Sequence, residues 1–406
     1  MIANICDKLN INVTYTFRNI EANHLITYNS FIRHNIQGRW IKMKKIISVR
    51  WGNTSQDYEN LNITKQIKPW EDGIRTSGEI GTYEWWYFDS HLNDGSTLVI
   101  IFLTKPYITP ELPLTPQVTF TLDRPDGTHI SKIAKFKPNE LKASKEITDV
   151  LIGKNIFSGN QKHYDIHIEI DEIVADIKLD NTIPAWRPSS GYMYFGDNDE
   201  NYFAWLPSTP EGKVSGEIII NGKSEKILGT GYHDHNWGNI GMVQLMHHWY
   251  WGRAKIGEYT NISSYIYARE EYGYHRFPIF MLAKNGEILV DNPKYLTYTE
   301  KDETIDEVTG KPYHKYIIYD YNDGNVHYTV TYKCENIIIH RKYIDELPKD
   351  QQEAAQKSGF DSAYLRFTGK VVLERYEDNK ILETIESPAL WEEMYFGRSI
   401  FNQEYK

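Results

Sequence analysis

Five of the six Asp-Gly and Asn-Gly dipeptides, each set near runs rich in β-branched and aromatic residues, constrain this chain more than any other feature. They fall at Asp94-Gly95, Asp126-Gly127, Asn221-Gly222, Asn285-Gly286 and Asp323-Gly324. Such a pair supplies the positive φ that a tight turn demands, so each predicts two antiparallel strands joined by a hairpin. Strand-like runs occur at 97–103, 117–122, 164–170, 172–179, 214–220, 262–268, 276–283, 313–319, 326–334 and 369–375. Together they predict an all-β chain of antiparallel barrels or sandwiches and exclude a doubly wound parallel sheet. Only 347–358 reads as a helix, with Pro348 near its start and Gly359 just past its end.

Composition enters where it excludes a class of partner. The chain of 406 residues has a formal net charge of −10 and no basic stripe, which argues against nucleic acid. Its 30 Tyr, 15 Phe and 11 Trp amount to 14% of the residues, well suited to strands and to apolar pockets with a polar rim. Cys6 and Cys334 form no disulfide framework and no metal spacing, as in a reducing compartment. No apolar run reaches the ~18 residues of a membrane helix, and the N-terminus lacks the pattern of a signal peptide. A cytoplasmic location is the expectation.

Residues 1–42 mix polar and apolar positions without a sustained period and read as a loosely packed extension, with Met43 as an alternative start. The aromatic stretch Glu84–Asp89 is echoed by 248–253, and both precede a turn and a further strand. The echo predicts two similar β domains, 43–240 and 241–406, divided near the glycines of 238–241.

The densest polar cluster is 231–238, GYHDHNWG. On a strand, Tyr232, Asp234 and Asn236 take one face and His233, His235 and Trp237 the other, so only one set can face a given cavity. A packing strand seldom carries so many polar groups, because each one buried unpaired costs about 1–3 kcal/mol. A hydrogen-bonded domain junction and a polar island in an apolar pocket both answer to this pattern. His233 and His235 also have the spacing of strand-borne zinc ligands, but no second ligand motif accompanies them and no metal is expected. Glu84, Trp85, Trp86, Tyr202, Trp205, Trp249 and Trp251 are candidate cavity residues, with core packing as their alternative. The stretch 387–397 reads as a closing strand. Nucleotide-binding and common hydrolase motifs are absent, so no cofactor is expected.

With EWWYFD at 84–89, GYHDHNWG at 231–238, WYWGRA at 249–254 and MYFG at 394–397, the chain resembles the hydroxyneurosporene synthase (carotenoid 1,2-hydratase)/AttH family of lipocalin-like proteins. That family is related to two-barrel cyclases and Diels–Alderases, and the resemblance covers roughly residues 70–400. It implies two consecutive lipocalin-like β-barrels and a hydrophobic small-molecule substrate, such as a polyene or terpenoid, held near their junction. The 201–207 stretch NYFAWLP departs from the His-Tyr-Tyr-type stretch of the hydratases, with Asn201 in place of a histidine.

Asp234, flanked by His233 and His235, is then the candidate acid of a cofactor-independent hydratase or cyclase, with Trp237 walling its pocket. A pericyclase and a non-enzymatic lipid or terpenoid carrier are the alternatives. Peripheral membrane contact would serve substrate uptake, and the sequence leaves the oligomeric state open.

Overall fold

The computed structural model describes residues 45–398 except 108, 348, 350, 351 and 354–359, together with the backbone of two short strands, Asn35–Ile36 and Arg39–Trp40. The reading of 1–42 as a loose extension therefore lies outside the described residues but for that backbone, and the helix expected over 347–358 falls largely outside them. The described residues from Ile46 onward form one compact unit. Among the described residues no helix is long and apolar enough to cross a membrane.

The strands form a 13-stranded and a 9-stranded sheet, both antiparallel. In hydrogen-bonded order the main path of the first runs His129–Lys135, Gln117–Asp123, Thr97–Leu103, Tyr83–Leu92, Lys223–Gly238, Asn201–Ile220, Ile173–Asn181, His163–Ile170, Asn155–Gly159, Thr148–Ile152 and Leu141–Ala143. The second runs Glu287–Val290, Arg276–Lys284, Tyr259–Ala268, Met246–Ile256, Lys380–Tyr395, Ala363–Glu377, His327–Lys342, Pro312–Asn322 and Leu296–Ile305. One plan underlies both. An early strand, Tyr83–Leu92 or Met246–Ile256, lies against the last strand of its own sheet, Lys223–Gly238 or Lys380–Tyr395. The aromatic echo at 84–89 and 248–253 marks these equivalent strands. The architecture is all-β and lipocalin-like.

Local chemistry explains the turns. Asn221 and Gly222 have φ of 51° and 74°, and Asn285 and Gly286 have 51° and 85°, the double positive φ of a type I′ hairpin. At the Asp-Gly turns, Asp94, Asp126 and Asp323 accept backbone N–H groups two residues on, at 2.9, 2.8 and 2.8 Å. Alternation then sets the inner face. Thr97–Leu103 and Gln117–Asp123 bury every second residue against a core that holds Phe102, Phe120 and Ile166.

The second sheet curls around Tyr250, Phe280, Tyr332 and Phe367. A further core, with Phe203, Trp205, Met242, Ile266 and Met394, draws on both sheets. Strands at this junction are buried on both faces: all ten residues of Tyr259–Ala268, and 231–238 in the first sheet. The chain passes from one sheet to the other between Gly238 and Met246, through the short helix Met242–Leu245.

Candidate active site

Burial on both faces explains why 231–238 carries polar groups in both directions: each face needs its own partners. In register, Asp234 lies opposite Tyr87, His235 opposite Trp86, Asn236 opposite Trp85 and Trp237 opposite Glu84. One face therefore gathers Asp234 and Asn236 with Trp85 and Tyr87. The other gathers His233, His235 and Trp237 with Glu84, Trp86 and Phe88. On the far side of the strand, Trp205 lies opposite Asn236. The ladder beyond it is broken between Leu206 and Gly212, where Pro207 and Pro210 lack a ladder donor.

The Asp234 face opens into a cavity between the two sheets. Trp85, Tyr87, Phe203 and Trp205 wall it from the first sheet, and Trp249, Trp251 and Ile266 from the second. Asp234 is 7% exposed. Its Oδ2 accepts from the Trp205 indole at 2.7 Å and the Tyr232 hydroxyl at 2.8 Å, and its Oδ1 accepts from the Asn236 amide at 2.6 Å. Burial raises its pKa to about 6, against the opposing pull of these donors and of the more distant His233. All three direct partners are neutral, so no cation lies in contact to hold the carboxylate ionised.

A second lobe of the cavity shares Trp85, Tyr87, Trp249, Trp251 and Glu392 with the first and is more polar. The lobes have volumes of about 150 and 290 Å³. Together they suit a drug-sized ligand. In the second lobe Arg253 pairs with Asp89 Oδ1 and lies 5.5 Å from the centre of the Tyr232 ring. Glu392 accepts from the Tyr364 hydroxyl at 2.8 Å and, weakly, from the Trp249 indole at 3.5 Å. Burial raises the Glu392 pKa as well.

The opposite face of the same strand is closed off, with His233 and His235 fully buried. His233 Nδ1 donates to the Tyr87 carbonyl at 2.8 Å, and its Nε2 lies 3.2 Å from Asp72 Oδ2. His235 Nε2 lies 2.7 Å from Glu84 Oε1, its Nδ1 lies 3.5 Å from Asp72 Oδ1, and its ring stacks on Trp86 with centroids 4.6 Å apart. Asp72 ends a short 3₁₀ turn, Pro69–Asp72, and also accepts the Tyr164 and Thr148 hydroxyls. Burial opposes its charge, but His233 and His235 outweigh it, and the Asp72 pKa falls below the ordinary value. Glu84 is sealed by the backbone N–H groups of Arg75 and Thr76, at 2.6 and 2.8 Å.

The structure thus brings Asp234, Trp85, Trp205, Trp249 and Trp251 together around one cavity. It places His233, His235, Glu84 and Trp86 in a closed network behind the strand, because neighbours along a strand point to opposite faces. Trp237 and Tyr202 pack in a small cluster around Tyr192, where the Trp237 indole donates to the Tyr192 hydroxyl at 3.0 Å. Sequence reasoning missed Tyr87, Tyr364, Arg366 and Glu392. Tyr87 shares the parity of Trp85 and could have been read from it. The other three reach the cavity through strand pairing distant in sequence. Among the described residues, no three His, Cys, Asp or Glu side chains are grouped to hold a metal ion.

Two lipocalin-like sheets with an aromatic cavity at their junction define the class of this protein. The chain belongs to the Diels–Alderase-like family, whose model matches residues 79–343. It is 24% identical over 205 residues to the hydroxyneurosporene dehydrogenase of Chlorobaculum tepidum, a match that covers 43% of this chain and 54% of that protein. Among solved structures it is similar to CghA, with a TM-score of 0.55 at 10% identity over 78% of this chain and 89% of that one. CghA has also been solved with Sch210972. The putative AttH of Nitrosomonas europaea gives a TM-score of 0.51 at 16% identity, covering 82% of this chain and 97% of that one. At these identities the two structures show the shared fold.

Proposed function

We propose that this protein is a cofactor-independent enzyme that transfers a proton from Asp234 to an alkene of an apolar polyene or terpenoid, which is then hydrated or cyclised. The observation that carries this reading is a carboxyl group with a pKa of about 6 set into an aromatic cavity wall. General acids work best with a pKa near the operating pH. The Asp234 proton would form a new C–H bond and leave a cation on the more substituted carbon. Trp85, Trp249 and Trp251 line the same cavity, and their ring faces would stabilise that charge. Water then attacks the cation and returns its proton to Asp234, giving an alcohol. Alternatively, an internal alkene attacks and a neighbouring C–H yields its proton to the same carboxylate.

The test is turnover in deuterium oxide. A panel of acyclic terpenoids and linear polyenes is incubated with the enzyme, and products are analysed by mass spectrometry. Proton transfer leaves one carbon-bound deuterium in the product, and Asp234→Asn abolishes its formation. A second reading is a pericyclase, favoured by the three donors already engaged on the Asp234 oxygens and by the family's Diels–Alderase-like members. It predicts a cyclised product free of deuterium and an Asp234→Asn variant that keeps much of its rate. Tight binding with no product from any panel member points to a carrier.

A further inference from the structure

The charged groups of the second lobe are almost all engaged with one another. Asp89 Oδ1 takes Arg253, and Asp89 Oδ2 takes the Tyr87 hydroxyl at 3.3 Å. Glu392 receives the Tyr364 hydroxyl on one oxygen and the Trp249 indole on the other. Arg366 is the exception in hydrogen bonding, although the charges of Glu392 and Asp89 act on it from a distance. It lies directly opposite Glu392 in the ladder between Ala363–Glu377 and Lys380–Tyr395, so both side chains point to the cavity. Among the described residues it nevertheless donates no hydrogen bond and forms no ion pair within 4 Å. A guanidinium carries five N–H donors in a planar fork matched to two acceptor oxygens. In this half-buried, aromatic-lined recess the fork is open to a ligand that brings two acceptor oxygens.

We infer that Arg366 is the head-group site of the cavity and binds a carboxylate carried by the apolar substrate, while the hydrocarbon lies among the tryptophans beside Asp234. This assignment rests on the cavity reading above and names the substrate class: an unsaturated acid rather than a neutral hydrocarbon. Arg253 cannot take the same part without giving up Asp89. Lys at 366 would keep the charge but not the bidentate geometry.

The experiment uses cis-parinaric acid, a fluorescent conjugated polyene carboxylate, and its methyl ester. Both are titrated into the full chain and into its Arg366→Met and Arg366→Lys variants, following probe fluorescence and tryptophan quenching. The expected result is tighter binding of acid than ester by about tenfold or more in the wild type, as for a charge-assisted bidentate contact. Arg366→Met should remove that preference while the ester binds as before, which also reports that the variant is folded. Arg366→Lys should restore only part of it. Equal affinity for acid and ester in the wild type, or a Met variant that loses both alike, overturns the head-group assignment and leaves the cavity reading standing. A cavity that takes neither probe overturns both.

Discussion

Asp72 and Asp234 approach the strand Lys223–Gly238 from its two faces, and their surroundings push them in opposite directions. Asp72 is fully buried, yet His233 and His235 lower its pKa, and its Oδ2 also accepts two hydroxyls. Asp234 is nearly as buried, has only neutral donors in contact, and sits beside open volume, with its pKa raised to about 6. Burial alone does not distinguish a structural carboxylate from a reactive one. The groups in contact do: the imidazoles that lower the Asp72 pKa fix the protonation state that a proton-transfer group must be free to change.

The largest expected effect comes from Asp234. Asp234→Asn should lower kcat on any substrate protonated in the cavity by about 10²–10⁴, the usual loss for a removed general acid, while ligand binding persists. Steady-state kinetics with parallel binding titrations check this. On the opposite face, His233→Leu removes a buried polar partner of Asp72 and should destabilise the fold by about 1–3 kcal/mol. Turnover per folded molecule should hold. A variant of normal stability but low kcat breaks the comparison.

Next in size is the pH dependence of stability. The folded-state pKa of Asp234 lies above its ordinary value, so between about pH 4 and 6 the native state holds a proton that the unfolded chain has lost. Its contribution is fully present below about pH 4 and is lost as pH rises through about 6, a change of at most about 3 kcal/mol. Asp72 has the opposite sign: its contribution is lost as pH falls below the ordinary carboxylate range. Urea unfolding across this window should show a falling component that Asp234→Asn removes. The smallest effect is that of Tyr232→Phe. It deletes one donor to the charged form and should move the kinetic pKa up by about one unit, read from the pH profile of kcat.

Much of this arrangement is legible in the sequence. The Asn-Gly and Asp-Gly pairs locate the hairpins, and the echo of 84–89 in 248–253 falls on equivalent strands of the two sheets. The period of two also separates Asp234 from its neighbouring histidines. The same rule forbids Trp85 and Trp86 from sharing a cavity, and it places Trp237 with His235. What the sequence hides is pairing over long distances. Nothing local to His233 points to Asp72, which lies 161 positions earlier. Likewise, nothing local to Glu392 points to Trp249 or Trp251, which join it only when the last strand closes on the first of its sheet. Arg366 reaches the cavity by the same closure.

The central claim is that the carboxyl group on the cavity face of this strand changes protonation near neutrality while Asp72, against the opposite face, does not. Carboxyl ¹³C NMR of protein labelled at aspartate, titrated from pH 3 to 8 in the wild type and in Asp234→Asn, tests it most directly. The account predicts one aspartate resonance titrating near pH 6 that is missing from the variant, with Asp72 titrating below the ordinary value. An Asp234 resonance that titrates at the ordinary value of about 4 would contradict it.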